Sequence, residues 1–160
     1  NQEAGDAFAD MSLPKCNVEA LEASSQFDVA SLLGKQPMNQ FDWAQLIVRG
    51  FPAETFEMFV GRSGLTRNET IKAIGMTSRQ LLRRCHSGAL SGDESERLYR
   101  LARIISRAAA FFGDIESGAA WLRKPHPALR GFAPLEFALT EPGAQEVLRI
   151  ITSVEHGIPV

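Results

Sequence analysis

The sequence predicts an all-α protein, with a helix-turn-helix region in its middle followed by a small helical C-terminal domain. Two observations lead there. Apolar residues recur at helical spacing in nearly every segment, and no stretch alternates apolar and polar residues long enough to make a strand. Three hydroxyl residues are each followed three positions later by Glu or Gln (Thr66 and Glu69, Thr77 and Gln80, Ser91 and Glu94), the capping-box signature of a helix start. At 160 residues and 44% apolar composition the chain can bury one sizeable core.

Residues 1–26 are polar and weakly patterned. "FDVASLLG" (27–34) predicts a short helix stopped by Gly34 and Pro37. "FDWAQLIVRG" (41–50) gathers Trp43, Leu46 and Ile47 on one side and stops at Gly50. "PAETFEMFVGRSG" opens with Pro52 in its first turn, packs Phe56, Phe59 and Val60, and ends at Gly61 or Gly64. Thr66 then starts a helix that stops at Gly75, and Thr77 starts another that ends at Gly88. Two short helices joined by a glycine-containing turn are what a helix-turn-helix requires. Ser91 opens a long helix closed by Gly113, with Leu98, Leu101, Ile105, Ala108 and Phe112 as its buried stripe. The last third alternates short helices with prolines: "IESGAAWL" before Pro125, "PLEFAL" from Pro134, and a helix from Pro142 to Gly157. In this last helix Val147, Ile151 and Val154 form the stripe made for burial, with Leu148 and Ile150 beside it. The expected division is 1–60 as an N-terminal helical segment, 61–113 as the helix-turn-helix region with its long helix, and 114–160 as the C-terminal domain. In the first segment Phe27, Leu32, Leu33, Trp43 and Ile47 are either a self-association surface or part of the core.

A net charge of −2 conceals segregation. Residues 1–60 carry 9 acidic and 3 basic side chains, 61–107 carry 4 and 10, and 108–160 carry 6 and 4. Because screening confines electrostatic attraction to about 8 Å, the basic centre attracts phosphates despite the acidic flanks. No apolar run approaches the roughly 20 residues that span a bilayer. The start of the sequence lacks the pattern of a signal peptide. Cys16 and Cys85 show no pairing pattern. Together these features point to the cytoplasm. His86, His126 and His156 share no metal-ligand spacing. Cys85 and His86 are helix neighbours and point about 100° apart, so they do not form a nucleophile–base pair; Cys85 reads as buried beside Leu81 and Leu82. Neither an enzyme nor a cofactor protein is expected.

Within "MTSRQLLRRC" (76–85), Arg79, Arg83 and His86 form a line at helical spacing. Thr77 and Ser78 sit at the N-terminus, where free N–H groups favour phosphate. The second helix of a helix-turn-helix enters the major groove. Arg79 and Arg83 are therefore expected to read bases or adjacent phosphates, with Gln80 as a possible adenine reader. Arg67 and Arg84 are expected to position the nucleic-acid backbone. The alternative is a surface helix with Arg83 or Arg84 paired to Glu94 or Glu96.

Beyond the helix-turn-helix, several segments in order resemble one family: "GLTRNETIKAIGMTSRQLLRR", "SGDESERLYRLARI", "FFGDIESGAAWLRKPHPAL", "PLEFALTEPGAQEV" and the ending "EHG". From about Phe41 onward the chain resembles the ParS/MbcA/Xre-type antitoxins, partners of RES-domain toxins. The pair Trp121-Leu122, Pro125, Pro134-Leu135, Thr140-Glu141 with Gly143, and Glu155-His156-Gly157 match that family's C-terminal domain. Arg130 departs from it, standing where a small residue is expected. The resemblance implies an Xre-like helix-turn-helix region and a toxin-binding C-terminal domain. It also implies a protein that covers the active site of an NAD-consuming enzyme, whether NAD-hydrolysing or ADP-ribosylating, and represses its own operon. The implied toxin-binding residues are Trp121, Glu155, His156, Gly157, Ile158, Pro159 and Val160. Trp121 also reads as a core anchor, and the tail could instead fold back on its own domain. Pro159 biases Ile158 toward an extended conformation. The expected partners are a RES-domain toxin, operator DNA and further copies of the chain; the alternative is a stand-alone helix-turn-helix transcriptional regulator without a toxin partner.

Overall fold

The structure is a computed structural model that describes residues 27–157. Among the described residues the regular elements are α1 (Val29–Leu33), α2 (Gln40–Arg49), α3 (Glu54–Arg62), α4 (Arg67–Ala73), α5 (Ser78–Ser87), α6 (Gly92–Phe112), α7 (Ile115–Arg123), a 3₁₀ turn (Pro127–Leu129), α8 (Pro134–Phe137) and α9 (Glu141–Glu155). They form no sheet; an isolated bridge pairs Pro52 with Ala89. No helix among the described residues is long and apolar enough to cross a membrane.

Local signals set most boundaries. All three capping boxes form: Thr66 with Glu69, Thr77 with Gln80 and Ser91 with Glu94 each exchange both hydrogen bonds. Asn39, Asp114 and Thr140 cap α2, α7 and α9 through their side chains. Pro52 precedes α3 rather than sitting in its first turn, because it is held in the bridge to Ala89 while Ala53 N–H donates to Gly88 O at 3.0 Å.

The 21-residue α6 is the axis of the fold. It packs against α1, α2, α7 and α9, burying Leu98, Leu101, Ile104, Ile105 and Ala108 completely or nearly so. Phe51, Phe56 and Phe59 fill the space beneath α3, and Val147, Ile150 and Ile151 bring α9 into the same cluster. Burying each of these side chains contributes about 1.5–3 kcal/mol. The linker between α2 and α3 is tied to α6, since Phe51 N–H donates to buried Ser95 Oγ at 2.8 Å.

Of the two readings left open for the first segment, Leu32, Leu33 and Trp43 follow the second and belong to the core, while Phe27 and Ile47 are half-buried. Two expectations about burial are corrected. Phe112 is partly exposed, because α6 ends there; the rings of Phe111 and Trp121 stand 4.8 and 5.9 Å from its own. Val154 is exposed as well, since it lies in the last turn of α9, beyond the end of the buried stripe that closes at Ile151.

Between α7 and α8 the chain doubles back in a tight loop: Arg130 N–H donates to Pro127 O, Gly131 N–H to His126 O, and His126 N–H to Phe132 O at 3.0 Å. This loop puts Arg130 at φ 54°, the one non-glycine residue with positive φ among the described residues. The left-handed region costs an L-residue about 1–2 kcal/mol, so the expected small residue is missed here in a physical sense. Arg130→Gly should raise stability by about 0.5–1 kcal/mol after the extra chain entropy of glycine is deducted. A urea unfolding midpoint that stays put or falls would contradict this.

Candidate functional site

α5 is held by one deep anchor. Leu81 is buried, while Leu82 is 59% exposed and Cys85 is also exposed, contrary to the expectation of a buried cysteine. The cause is the roll of the helix. Arg84, about 60° round from Leu81 on the side away from Cys85, is drawn inward to Glu94, with Nε 2.7 Å from Oε2. Glu94 is buried at the start of α6, and its carboxylate also accepts from Ser91 N–H at 2.8 Å. Burial alone pushes the Glu94 pKa up, but the Ser91 N–H and the Arg84 guanidinium outweigh it, and the net direction is down. α5 is thereby fixed to α6 through a carboxylate that remains charged.

The four arginines expected at this surface therefore separate into two pairs. Arg84 is tied to Glu94, and Arg67 is paired with Glu57 and lies 5.8 Å from the Phe56 ring centroid. Arg79 and Arg83 are exposed, and neither has an ion-pair partner among the described residues. With Thr77, Gln80, Leu82 and His86 they line one shallow depression on the outer side of α5. His86 Nδ1 is 2.8 Å from Leu82 O, which holds the ring against the helix. Ser78 is exposed at the first turn. Gln80 is half-committed: its Oε1 accepts from Thr77 N–H at 2.7 Å, leaving its amide NH₂ free. Reading adenine with both amide atoms would break that cap. Leu82 was not anticipated at this surface. Helical spacing places Leu82 beside Leu81 and gives no sign of its exposure.

The C-terminal elements pack back onto the helix-turn-helix. Arg123 of α7 forms a forked pair with Glu69 of α4, Nε–Oε1 2.7 Å and Nη2–Oε2 3.0 Å, and donates to Gly64 O at 2.7 Å. Arg100 reaches from α6 to Glu141 at 2.8 Å and to Leu139 O at 2.9 Å. The Arg123 guanidinium, helped by the Thr66 N–H, holds the Glu69 carboxyl at about 2. Its folded value lies below the ordinary 4.5, so this stabilisation is complete above about pH 5 and is lost as pH falls toward 2. Arg123→Ala should flatten the loss of stability over that window. Equal acid sensitivity of the two proteins would show that the pair contributes nothing.

The residues implied as toxin-binding are only partly within the described region. Trp121 is half-buried between Phe112 and His126, whose ring centroids are 5.9 and 5.8 Å away. Glu155 pairs with Arg107 of α6, His156 is exposed at the end of α9, and Gly157 follows at φ 66°. Ile158, Pro159 and Val160 lie outside the described residues. Phe132, 53% exposed and 5.8 Å from the Phe137 ring, adds an apolar surface that periodicity did not reveal, because it sits in the loop after Arg130.

A capped pair of short helices that presents free arginines, with a helical domain locked onto it by ion pairs, defines a helix-turn-helix protein with an appended helical domain. Residues 42–103 match the family model described as the antitoxin Xre-like helix-turn-helix domain, and 107–157 match that of the antitoxin Xre/MbcA/ParS C-terminal toxin-binding domain. An Antitoxin Xre of Photorhabdus laumondii is 30% identical over 71% of this chain and 78% of its own length. One of Yersinia enterocolitica is 32% identical over 70% and 77%, and one of Pseudomonas putida is 34% identical over 42% and 43%. The chain belongs to the Xre/MbcA/ParS family of antitoxins.

Proposed function

We propose that this antitoxin neutralises an NAD-consuming RES-domain toxin by covering its active site, and that it represses its own operon through α5. It does so by binding, without catalysis, in the cytoplasm. The observation that carries this reading is the presence, in one chain, of matches to an antitoxin helix-turn-helix domain and a toxin-binding domain. The unpaired Arg79 and Arg83 support DNA recognition by the first of these. In the second, Trp121, Glu155, His156 and Gly157 are assigned to the toxin interface together with the tail Ile158-Pro159-Val160. The working division remains 1–60, 61–113 and 114–160, with self-association placing two copies on paired operator half-sites.

In DNA recognition Arg79 and Arg83 carry base or phosphate contacts. Thr77 and Ser78 approach phosphate at the helix start, and the free amide NH₂ of Gln80 faces the groove. Arg67 and Arg84, tied to Glu57 and Glu94, act on the DNA backbone only at the edge of the contact. Purifying the protein with the product of the neighbouring gene tests the toxin reading. A co-purified partner that depletes NAD once released supports it. A protein that binds its promoter but recovers no such partner is instead a stand-alone regulator.

A further inference from the structure

α2 is amphipathic toward the core and anomalous toward solvent. Trp43, Leu46 and Ile47 face inward, and directly opposite them lie Phe41, Ala44, Gln45 and Val48. Phe41 is 67% exposed and Val48 81% exposed, so a helix face that should be polar carries an aromatic and a β-branched residue one heptad apart. Ala44, Gln45 and Val48 line a shallow depression between them, bordered by Arg49. We propose that this face is the surface through which two copies of the chain pair, with α2 packed antiparallel on its own counterpart about a twofold axis near Gln45. The inference rests on the reading that the protein self-associates on its operator, and it names the surface.

Charge selects a second copy as the occupant. Asp42 lies in the first turn of α2 and Arg49 in the last, on the same flank of the apolar stripe. A twofold perpendicular to the helix keeps that flank in place and reverses the direction. Each Asp42 therefore meets the other copy's Arg49, and each Phe41 meets the other copy's Val48. Every contact occurs twice. Parallel packing about an axis along the helices would put the two charged flanks on opposite sides of the pair, where no Asp42 meets an Arg49.

The position of the face fits operator binding. The C-terminal end of α2 abuts the start of α6: a Cβ built on Gly92 would stand 3.4 Å from Ile47 O and 3.5 Å from Val48 O. Gly92 lies five residues past the end of α5, so pairing through α2 fixes the separation of the two α5 helices, the quantity that paired half-sites must match. Two ten-residue helices about 15 Å long bury less than the roughly 1,200 Å² of a stable interface. The dimer is accordingly concentration-dependent in solution and reinforced on DNA.

Sedimentation velocity of the full chain over a micromolar concentration series, free and on operator, tests this. Val48→Lys places a cation in the apolar centre while suiting the end of a helix, and it should leave the protein monomeric with an unchanged melting temperature. Asp42→Arg and Arg49→Asp should each weaken dimerisation about tenfold, because symmetry doubles the like-charge contact. The double variant should restore it. A dimer that survives Val48→Lys, or a well-folded double variant no better than the singles, overturns this surface while leaving self-association standing. A wild-type protein that stays monomeric even on its operator overturns both.

Discussion

Replacing Arg79 and Arg83 together by alanine should abolish measurable operator binding at physiological salt, with each single change costing about 1–3 kcal/mol. These two guanidinium groups lie on the outer side of α5 with no carboxylate neutralising them among the described residues, so removing them leaves no buried charge unpaired. The effect on folding should be within about 0.5 kcal/mol, the usual range for exposed positions. Quantitative DNA binding over a salt series separates their roles. Loss of a phosphate contact lowers the slope of log K against log salt by about 0.9, whereas loss of a base contact keeps the slope and relaxes sequence preference. The double variant should still bind the toxin, because α5 lies outside the toxin-binding match at 107–157. Operator affinity unchanged in the double variant would remove α5 from the interface. Arg84→Ala should behave differently: it strands Glu94, buried in the first turn of α6, and shows chiefly as lost stability.

Gly118→Leu should damage the packing of α7 on α6 severely. Gly118 sits where α7 crosses α6, and a Cβ built there would lie 2.8 Å from Ala109 N, 3.0 Å from Ala108 C and 3.1 Å from Ala109 Cα. All three are backbone atoms of α6 and cannot rotate away. Alanine is already too large, and its better helix propensity, worth about 1 kcal/mol, does not offset the clash. Leucine must push the two helices apart, opening the contact that Leu122, Ala119 and Ala108 fill. The expected cost is about 3 kcal/mol, the upper end for an overpacked core. Urea denaturation reads it directly, and a midpoint within error of wild type would mean that α6 and α7 do not approach as described. Toxin binding should fall with it, since α7 carries Trp121, a residue of the proposed toxin interface.

How much of this was legible in the sequence depended on the range of the forces involved. The three capping boxes, the glycine stops at Gly75, Gly88 and Gly113, and the all-helical class follow from interactions within a turn or two, and the structure agrees with each. The basic centre was legible as a count, and the Arg84–Glu94 pair was among the alternatives the sequence offered for α5. The pairing of Arg67 with Glu57, ten residues before it, was not, since helical spacing does not reveal such partners. The burial expected for Cys85 failed because the roll of α5 is set by the Arg84–Glu94 pair rather than by the helix's own apolar residues. Wheel reasoning placed Val154 and Phe112 inward because it assumes a partner along the whole helix, and both lie at helix ends where the neighbouring element stops. The strain at Arg130 could be suspected only from a resemblance that implied a small residue there. The ties that lock α7 and α9 onto the helix-turn-helix, Arg123 to Glu69 and Arg100 to Glu141, span 54 and 41 residues and left no local trace.

The most direct test is a titration in which the purified product of the neighbouring gene consumes NAD in the presence of increasing amounts of this protein. NAD consumption should cease at a fixed molar ratio of the two chains, and the Arg79→Ala/Arg83→Ala protein should inhibit as well as wild type. NAD loss that continues at its full rate in the presence of excess folded protein would contradict occlusion of the toxin's active site.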